Sequence, residues 1–297
     1  MHGQRNKTVC QWPEPSWRNP DIDWKNAEFV TVGIDVGSVS AQAVIVADGE
    51  ILAYGNVRSG WDGSGSALKA YRSALQAAGD LPEDRFNYCI GTGYGRVNIP
   101  LAHRTLTEIA CHARGAHYLY GPDVRTVLDV GGQDIKAIRC DEKGKVVTFL
   151  MNDKCAAGTG RGMEVFADLL GIPVTDVGDR SFRFEGEAPE ALSNDCVVYA
   201  RSEAIGLIRQ GWRLERVLAA YCTGMAQRIY AVLERTGVTP QWAVTGGMAK
   251  NRGVINRLVA MIGAEDMKTP WDPQIAGAVG AALFAHTLCR KGKAKRQ

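Results

Sequence analysis

Val32-Gly33-Ile34-Asp35-Val36-Gly37-Ser38 and, 94 residues further on, Thr126-Val127-Leu128-Asp129-Val130-Gly131-Gly132 are the stretches that decide the fold. Each reads as an apolar strand that reaches an aspartate and stops in a glycine-bearing turn. At that single offset Asp35 meets Asp129, Val36 meets Val130, Gly37 meets Gly131 and Ala43 meets Ala137. Downstream of the first copy, Ala43-Val44-Ile45-Val46 reads as a second strand and Asp48-Gly49 as a hairpin turn into Ile51-Leu52. The second copy repeats this with Ile138, a turn at Gly144, and Val146-Val147. One strand-turn-strand unit is used twice in an α/β chain.

Two such turns facing each other suit a polyphosphate. Glycine lets backbone N–H groups approach an anion with no side chain in the way. Gly37, Ser38 and Ser40 in the first turn, and Gly131 and Gly132 in the second, are the expected phosphate contacts. Asp35 and Asp129 would organise Mg²⁺ through its waters, since this ion favours one or two carboxylates together with water and phosphate. Phosphoryl transfer needs mainly positioning and charge neutralisation, so both aspartates are expected to support hydrolysis. Gln133 is a candidate contact to phosphate or to the attacking water. A third turn, Val244-Thr245-Gly246-Gly247-Met248-Ala249-Lys250-Asn251, follows an apolar run and precedes a helix starting near Gly253. Gly246-Gly247 would let an adenosine lie flat on the backbone, with Lys250 and Asn251 beside it.

The 297 residues are 45% apolar and 23% charged, an ordinary globular composition. A net charge of +3 is too small to point to nucleic acid as the main partner. No run approaches the roughly 18 apolar residues of a membrane span. Ile275 to Leu288, rich in Gly and Ala, reads as a tightly packed helix. The first residues hold no secretory apolar stretch, so the expected address is cytoplasmic and the eight cysteines are expected to be thiols or metal ligands. Pro13, Pro15 and Pro20 with Trp12, Trp17 and Trp24 mark an extension, expected to pack on this subunit or a neighbour. The expected division is an extension over 1–28, a first lobe over 29–122, a second over 123–276, and a C-terminal helix over 277–297 that returns to the first lobe and ends in a solvated basic tail.

Cys89 falls in an apolar strand, Cys140 in a hairpin, and Cys222 and Cys289 in helical patterns; Cys111-His112 sits in the helical stretch Thr105 to His117. Structural roles are the expectation for the first four and core or helix-surface roles for Cys111-His112, and Cys10 is not expected to be a ligand. Cys155 and Cys196 each stand just before a helix, where free N–H groups and the helix dipole favour a thiolate and an anionic cluster. Two cysteines cannot complete a four-thiolate site, but two subunits about a two-fold axis can. Two buried thiols are the alternative.

Together these segments resemble the actin, Hsp70 and sugar-kinase superfamily. Within it they look like the activator-type ATPases of benzoyl-CoA reductases and 2-hydroxyacyl-CoA dehydratases. The carrying residues are Gly33–Ser38, Gly91-Thr92-Gly93-Tyr94-Gly95-Arg96, Asp129-Val130-Gly131-Gly132-Gln133-Asp134, Asn152-Asp153-Lys154-Cys155-Ala156-Ala157-Gly158-Thr159-Gly160, and Thr245–Asn251. The resemblance implies a duplicated, two-lobed, ribonuclease H-like α/β ATPase fold. It implies ATP, Mg²⁺ and one [4Fe-4S] cluster held by Cys155 and Cys196 of each of two subunits. Hydrolysis would drive a low-potential electron, supplied by reduced ferredoxin, to subunits that reduce a CoA ester. The extension and the first turn look more like the small ATPase subunit of benzoyl-CoA reductase, paired with a homologous second ATPase subunit. The alternative is a homodimeric activator of a 2-hydroxyacyl-CoA dehydratase; a small-molecule kinase of the same fold is the alternative from another class. One departure stands out: Val39-Ser40-Ala41-Gln42 follows the first turn where the family often has a Thr-rich, Lys-bearing stretch, so a lysine contact to phosphate is missing there.

Overall fold

The computed structural model describes residues 13–152, 158–193 and 196–292. The chain enters its first sheet at a short edge strand, Ser16–Arg18 (β1), and then lays down Val30–Val36 (β2), Ser40–Ala47 (β3) and Glu50–Arg58 (β4) as an antiparallel meander. Every residue of β2 is buried, as its near-continuous Val and Ile content requires of a strand covered on both faces. The β3–β4 turn places Asp48 and Gly49 at φ values of 46° and 94°, which fits the Asp-Gly hairpin signal. Asp62 caps helix Gly63–Ala78 (α1), which covers one face; Tyr88–Thr92 (β5) joins β2 in parallel and Arg104–Thr105 (β6) extends the edge. The sheet order is β1-β4-β3-β2-β5-β6. Helix Glu108–Tyr120 (α2), capped by Thr107, leads to the second half.

There Thr126–Val130 (β7), Ile135–Cys140 (β8) and Val146–Met151 (β9) repeat the meander. Helices Gly160–Leu170 (α3), Val177–Arg180 (α4), Val197–Arg209 (α5) and Leu214–Thr236 (α6) follow. Trp242–Thr245 (β10) then pairs with β7 in parallel, giving the order β10-β7-β8-β9. Helices Arg252–Ile262 (α7) and Ala276–Arg290 (α8) end the fold.

The duplication extends to register. Asp35 faces Gln42 on one side and Thr92 on the other; Asp129 faces Lys136 and Thr245. The Gly37 N–H donates to the Ser40 carbonyl and the Gly131 N–H to the Asp134 carbonyl, each at 3.0 Å. Gly93 and Gly246, just past the two parallel strands, sit at φ values of 87° and 82°, and a Cβ on either would press on the aspartate of its own copy.

α2 and α8 cross between the halves, and glycine permits it. A Cβ on Gly115 would run into the Ala276 carbonyl, one on Gly280 into that of Cys111, and one on Gly33 into that of Ala278. The run Ile275 to Leu288 is thus a packed helix, and among the described residues no helix is long and apolar enough to cross a membrane.

From Pro13 onward the N-terminal arm folds onto its own subunit. β1 pairs with β4, and the Trp17 ring meets Trp271 edge-on at 5.0 Å and stacks on Tyr54 at 6.0 Å. Trp24 is buried and its indole donates to Asp80 at 3.1 Å. Trp17 and Trp24 therefore stabilise this subunit, which removes the tryptophans at these two positions as an argument for docking along another chain; Trp12 lies outside the described residues.

Candidate functional site

The two repeat turns meet. A cleft of about 1050 Å³, counting space open to solvent, is lined by Asp35, Gly37, Ser38 and Ser40 from the first copy, by Asp129, Gly131, Gly132 and Gln133 from the second, and by Gly246 and Gly247. The turns touch: a Cβ on Gly132 would press on Ser38 and Val39. Lys250 and Asn251 stand back from this wall. Lys250 Nζ donates to Asp272 at 2.9 Å and to Gln274 at 2.6 Å, and only Gln274 of these lines the cleft. The Asn251 side chain caps α7 by accepting from the Val254 N–H.

At the bottom of the cleft lies a charge cluster that the strand pattern alone does not disclose. His112, expected to be a core or helix-surface residue, stands between the two aspartates. Its Nε2 is 3.5 Å from Asp35 and its Nδ1 3.3 Å from Asp129. Thr245 donates its hydroxyl proton to Asp129 Oδ1 at 3.0 Å, so its oxygen accepts from His112 Nδ1 at 3.0 Å. Lys136 fills the other side of Asp129: its Nζ donates to Asp129 Oδ2 at 3.1 Å and to Asp134 at 2.6 Å, and lies 3.4 Å from Glu108. The second copy thus has a lysine where the first has Gln42.

At His112, Asp129 and Lys136 the neighbouring charges outweigh burial. Burial works to lower the His112 pKa, but Asp129 and Asp35 outweigh it and hold it above its ordinary value. Burial likewise pushes Asp129 upward, and His112 and Lys136 overcome that and leave its carboxyl below the usual range. Burial opposes the Lys136 charge, yet Asp129, Glu108 and Asp134 hold its pKa well above that of a free lysine. Glu108 is raised, first by burial and then by its acidic neighbours, against Lys136. Both oxygens of Asp129 already have partners, so a cation is best met through its water shell.

The second turn also grips a helix. Gly160 N–H donates to the Gly131 carbonyl at 3.0 Å, and Arg161 N–H to that of Gly132 at 2.8 Å. These are N–H groups at the start of α3 that have no acceptor within the helix, satisfied by the second glycine turn. The residues just before α3 include Cys155, which lies outside the described residues. Cys196 is the N-cap of α5 and half-buried, whereas Cys89, Cys111, Cys140, Cys222 and Cys289 are buried. Burial lifts the Cys111 thiol to about 12 and those of Cys140 and Cys222 to about 11, which keeps them protonated. Among the described residues no group of three or more His, Cys, Asp or Glu is arranged to hold a metal ion.

The sequence matches the BadF/BadG/BcrA/BcrD ATPase family over residues 32–285. The chain belongs to this ATPase family. The activator of lactoyl-CoA dehydratase from Anaerotignum propionicum is 38% identical over 88% of this chain and 99% of its own. The (R)-2-hydroxyglutaryl-CoA dehydratase activating ATPase of Acidaminococcus fermentans is 38% identical over 88% of this chain and 98% of its own. A benzoyl-CoA reductase subunit of Thauera aromatica is 34% identical over 86% of this chain and 92% of its own. The solved activator of 2-hydroxyisocaproyl-CoA dehydratase from Clostridium difficile, with bound ADPNP, superposes with a TM-score of 0.82 at 34% identity, covering 89% of this chain and 97% of that one. A ROK family glucokinase from Streptomyces griseus, at 16% identity and a TM-score of 0.53 over 87% of this chain and 99% of that one, shares the fold alone. The architecture is therefore the two-lobed actin and sugar-kinase type. In this BadF/BadG/BcrA/BcrD chain the register of the duplication, with Lys136 at the position of Gln42, carried the signal for Lys136; nothing local announced His112.

Proposed function

We propose that this chain is an ATP-hydrolysing activator that works on a partner enzyme of the 2-hydroxyacyl-CoA dehydratase type. ATP, with Mg²⁺ met through water by Asp35 and Asp129, would lie between the first and second turns, its adenosine towards Gly246-Gly247. Gln133 would orient a phosphate oxygen or the attacking water. The functional division that goes with this is 1–28, 29–122, 123–276 and 277–297.

The single observation that carries the reading is the seat of α3 on the second turn, Gly160 and Arg161 on the carbonyls of Gly131 and Gly132. It joins the nucleotide turn directly to the helix that follows the Cys155 segment. Cys155 and Cys196, two from each subunit, would hold a [4Fe-4S] cluster; the half-buried helix-cap position of Cys196 supports this, in contrast to the buried thiols. When bound, such a cluster supplies a one-electron carrier. Two relatives named as dehydratase activators match at 38% identity over nearly their whole length, against 34% for the reductase subunit, and this favours the activator over the reductase subunit expected from sequence. The reductase reading stays as the second one, on that similarity.

The test is anaerobic expression of this chain alone. An iron-loaded homodimer that hydrolyses ATP and activates a 2-hydroxyacyl-CoA dehydratase is the expected result, with iron lost in Cys196→Ala. A chain that stays without iron until a second, homologous ATPase subunit is co-expressed would transfer the assignment to the reductase type.

A further inference from the structure

The cleft is rich in acid for a site that receives a polyphosphate. Glu14, Asp35, Glu108, Asp129 and Asp134 line it, against Arg58, Lys136 and His112 among the described residues, and His112 is taken up between Asp35 and Asp129. Lys136 is 2% exposed and shared among three carboxylates. Reaching out to a ligand would take the lysine from Asp129 Oδ2, Asp134 and Glu108 together, a costly change. No residue of the first turn, Gly37 to Gln42, is a cation.

Arg58 is differently placed. It ends β4, directly opposite Ser40 of the first turn in the β3–β4 register. Its backbone N–H donates to Glu14 at 2.7 Å, and Glu14 is held in turn by Lys69, so the arm fixes this strand end. Its side chain is 41% exposed and its guanidinium meets Glu164 of α3 at 3.2 Å. Glu164 is nearly buried, but it also accepts from Arg161 at 2.9 Å. The carboxylate therefore keeps a charged partner if Arg58 turns away, and the exchange avoids the penalty of stranding a buried charge.

We propose that Arg58 is the phosphate-binding cation of the cleft, kept on Glu164 without ligand and moved to the terminal phosphate when a nucleoside triphosphate binds. The inference rests on the nucleotide reading of the cleft. A guanidinium fits a phosphate with paired donors, a geometry the compact lysine head cannot copy. The move would also release one of the ties between the first lobe and α3, so the presence of a third phosphate would be felt at the helix seated on the second turn.

The experiment measures binding of Mg-ADP and of the non-hydrolysable analogue Mg-ADPNP to the full chain and to Arg58→Gln, Arg58→Lys and Glu164→Gln. Arg58→Gln should weaken ADPNP by about 10- to 100-fold and leave ADP within about threefold, the range expected for losing a hydrogen bond to a charged group. Arg58→Lys should recover part of the loss. Glu164→Gln, which unties Arg58, should raise the preference for ADPNP over ADP; this variant also decides the matter if Arg58→Gln fails to fold. Equal losses for both nucleotides, or an unchanged ratio in all three variants, would overturn the assignment of Arg58 while leaving the nucleotide site intact. A wild-type chain that binds neither nucleotide would overturn the nucleotide reading, and this one with it.

Discussion

The two copies of the repeat are the same object geometrically and different objects chemically. Both close their turn with one glycine N–H on a carbonyl three residues on, and both set an aspartate between an antiparallel and a parallel neighbour. Yet where the first copy has Ser40 and Gln42, the second has Asp134 and Lys136. The Gln42 amide donates to Ser40 at 2.7 Å and to Asn56 at 2.9 Å, a neutral network. Lys136 instead ties three carboxylates. The backbone demands strand, aspartate and glycine turn in both copies; the two positions it leaves open were filled once with amide and hydroxyl and once with ions. The edges differ in the same way. β1 covers β4, whereas β9 runs along the outer edge of its sheet with Val147, Phe149 and Met151 exposed.

The most severe test of this asymmetry is hydrolysis. Asp129→Asn should cut ATP turnover roughly 100- to 1000-fold with nucleotide binding largely kept, because a preorganised charge is lost where the transferring group is stabilised. Asp35→Asn, in the neutral copy, should cost less. Steady-state phosphate release on both variants checks the order, and equal losses would make the copies chemically equivalent. Next in size is stability. Lys136→Met removes the buried cation that Asp129, Asp134 and Glu108 share and should cost about 3–5 kcal/mol in urea unfolding, against about 1–2 kcal/mol for the matching Gln42→Met, which breaks only neutral hydrogen bonds.

The pH dependence sharpens the comparison further. The His112 pKa is raised on folding, so its contribution is whole below the unfolded value near 6.5 and fades as pH climbs through the folded value. Asp129 is lowered, so its contribution is whole above the ordinary carboxylate value and fades in acid. Thermal melts of the nucleotide-free chain should therefore decline above pH 6.5, and His112→Gln should flatten that alkaline decline. The smallest effect expected is at the covered edge. Trp17→Ala removes two aromatic contacts and should cost about 1 kcal/mol of stability without changing hydrolysis.

How much of this could be read from sequence depends on whether a residue's role is set by its neighbours in the chain. Asp35, Asp129 and the glycines of both turns repeat at one spacing, so the fold, the cleft and most of its lining were legible. Lys136 was legible only through register, since it meets Asp129 across a strand pair. His112 owes its place to the crossing of α2 and α8, which depends on Gly115 and Gly280 at distant positions, and no local pattern marks it. Lys250 sits beside the Gly246-Gly247 turn in sequence but turns to Asp272, an acid the motif does not contain. The tryptophans of the arm were visible as costly to leave in water; their partners, Tyr54, Trp271 and Asp80, were not.

The bonds from α3 to the carbonyls of Gly131 and Gly132 make the second turn a lever. A peptide unit is a rigid plate with its C=O and N–H on opposite edges. The plates whose oxygens hold Gly160 and Arg161 carry on their far edges the N–H groups of Gly132 and Gln133, both residues that line the cleft. Anything that draws those N–H groups towards itself tips the plates and pulls on α3 through the same atoms. No side chain needs to relay the motion, because the oxygen that holds the helix and the N–H that would be drawn belong to one peptide unit.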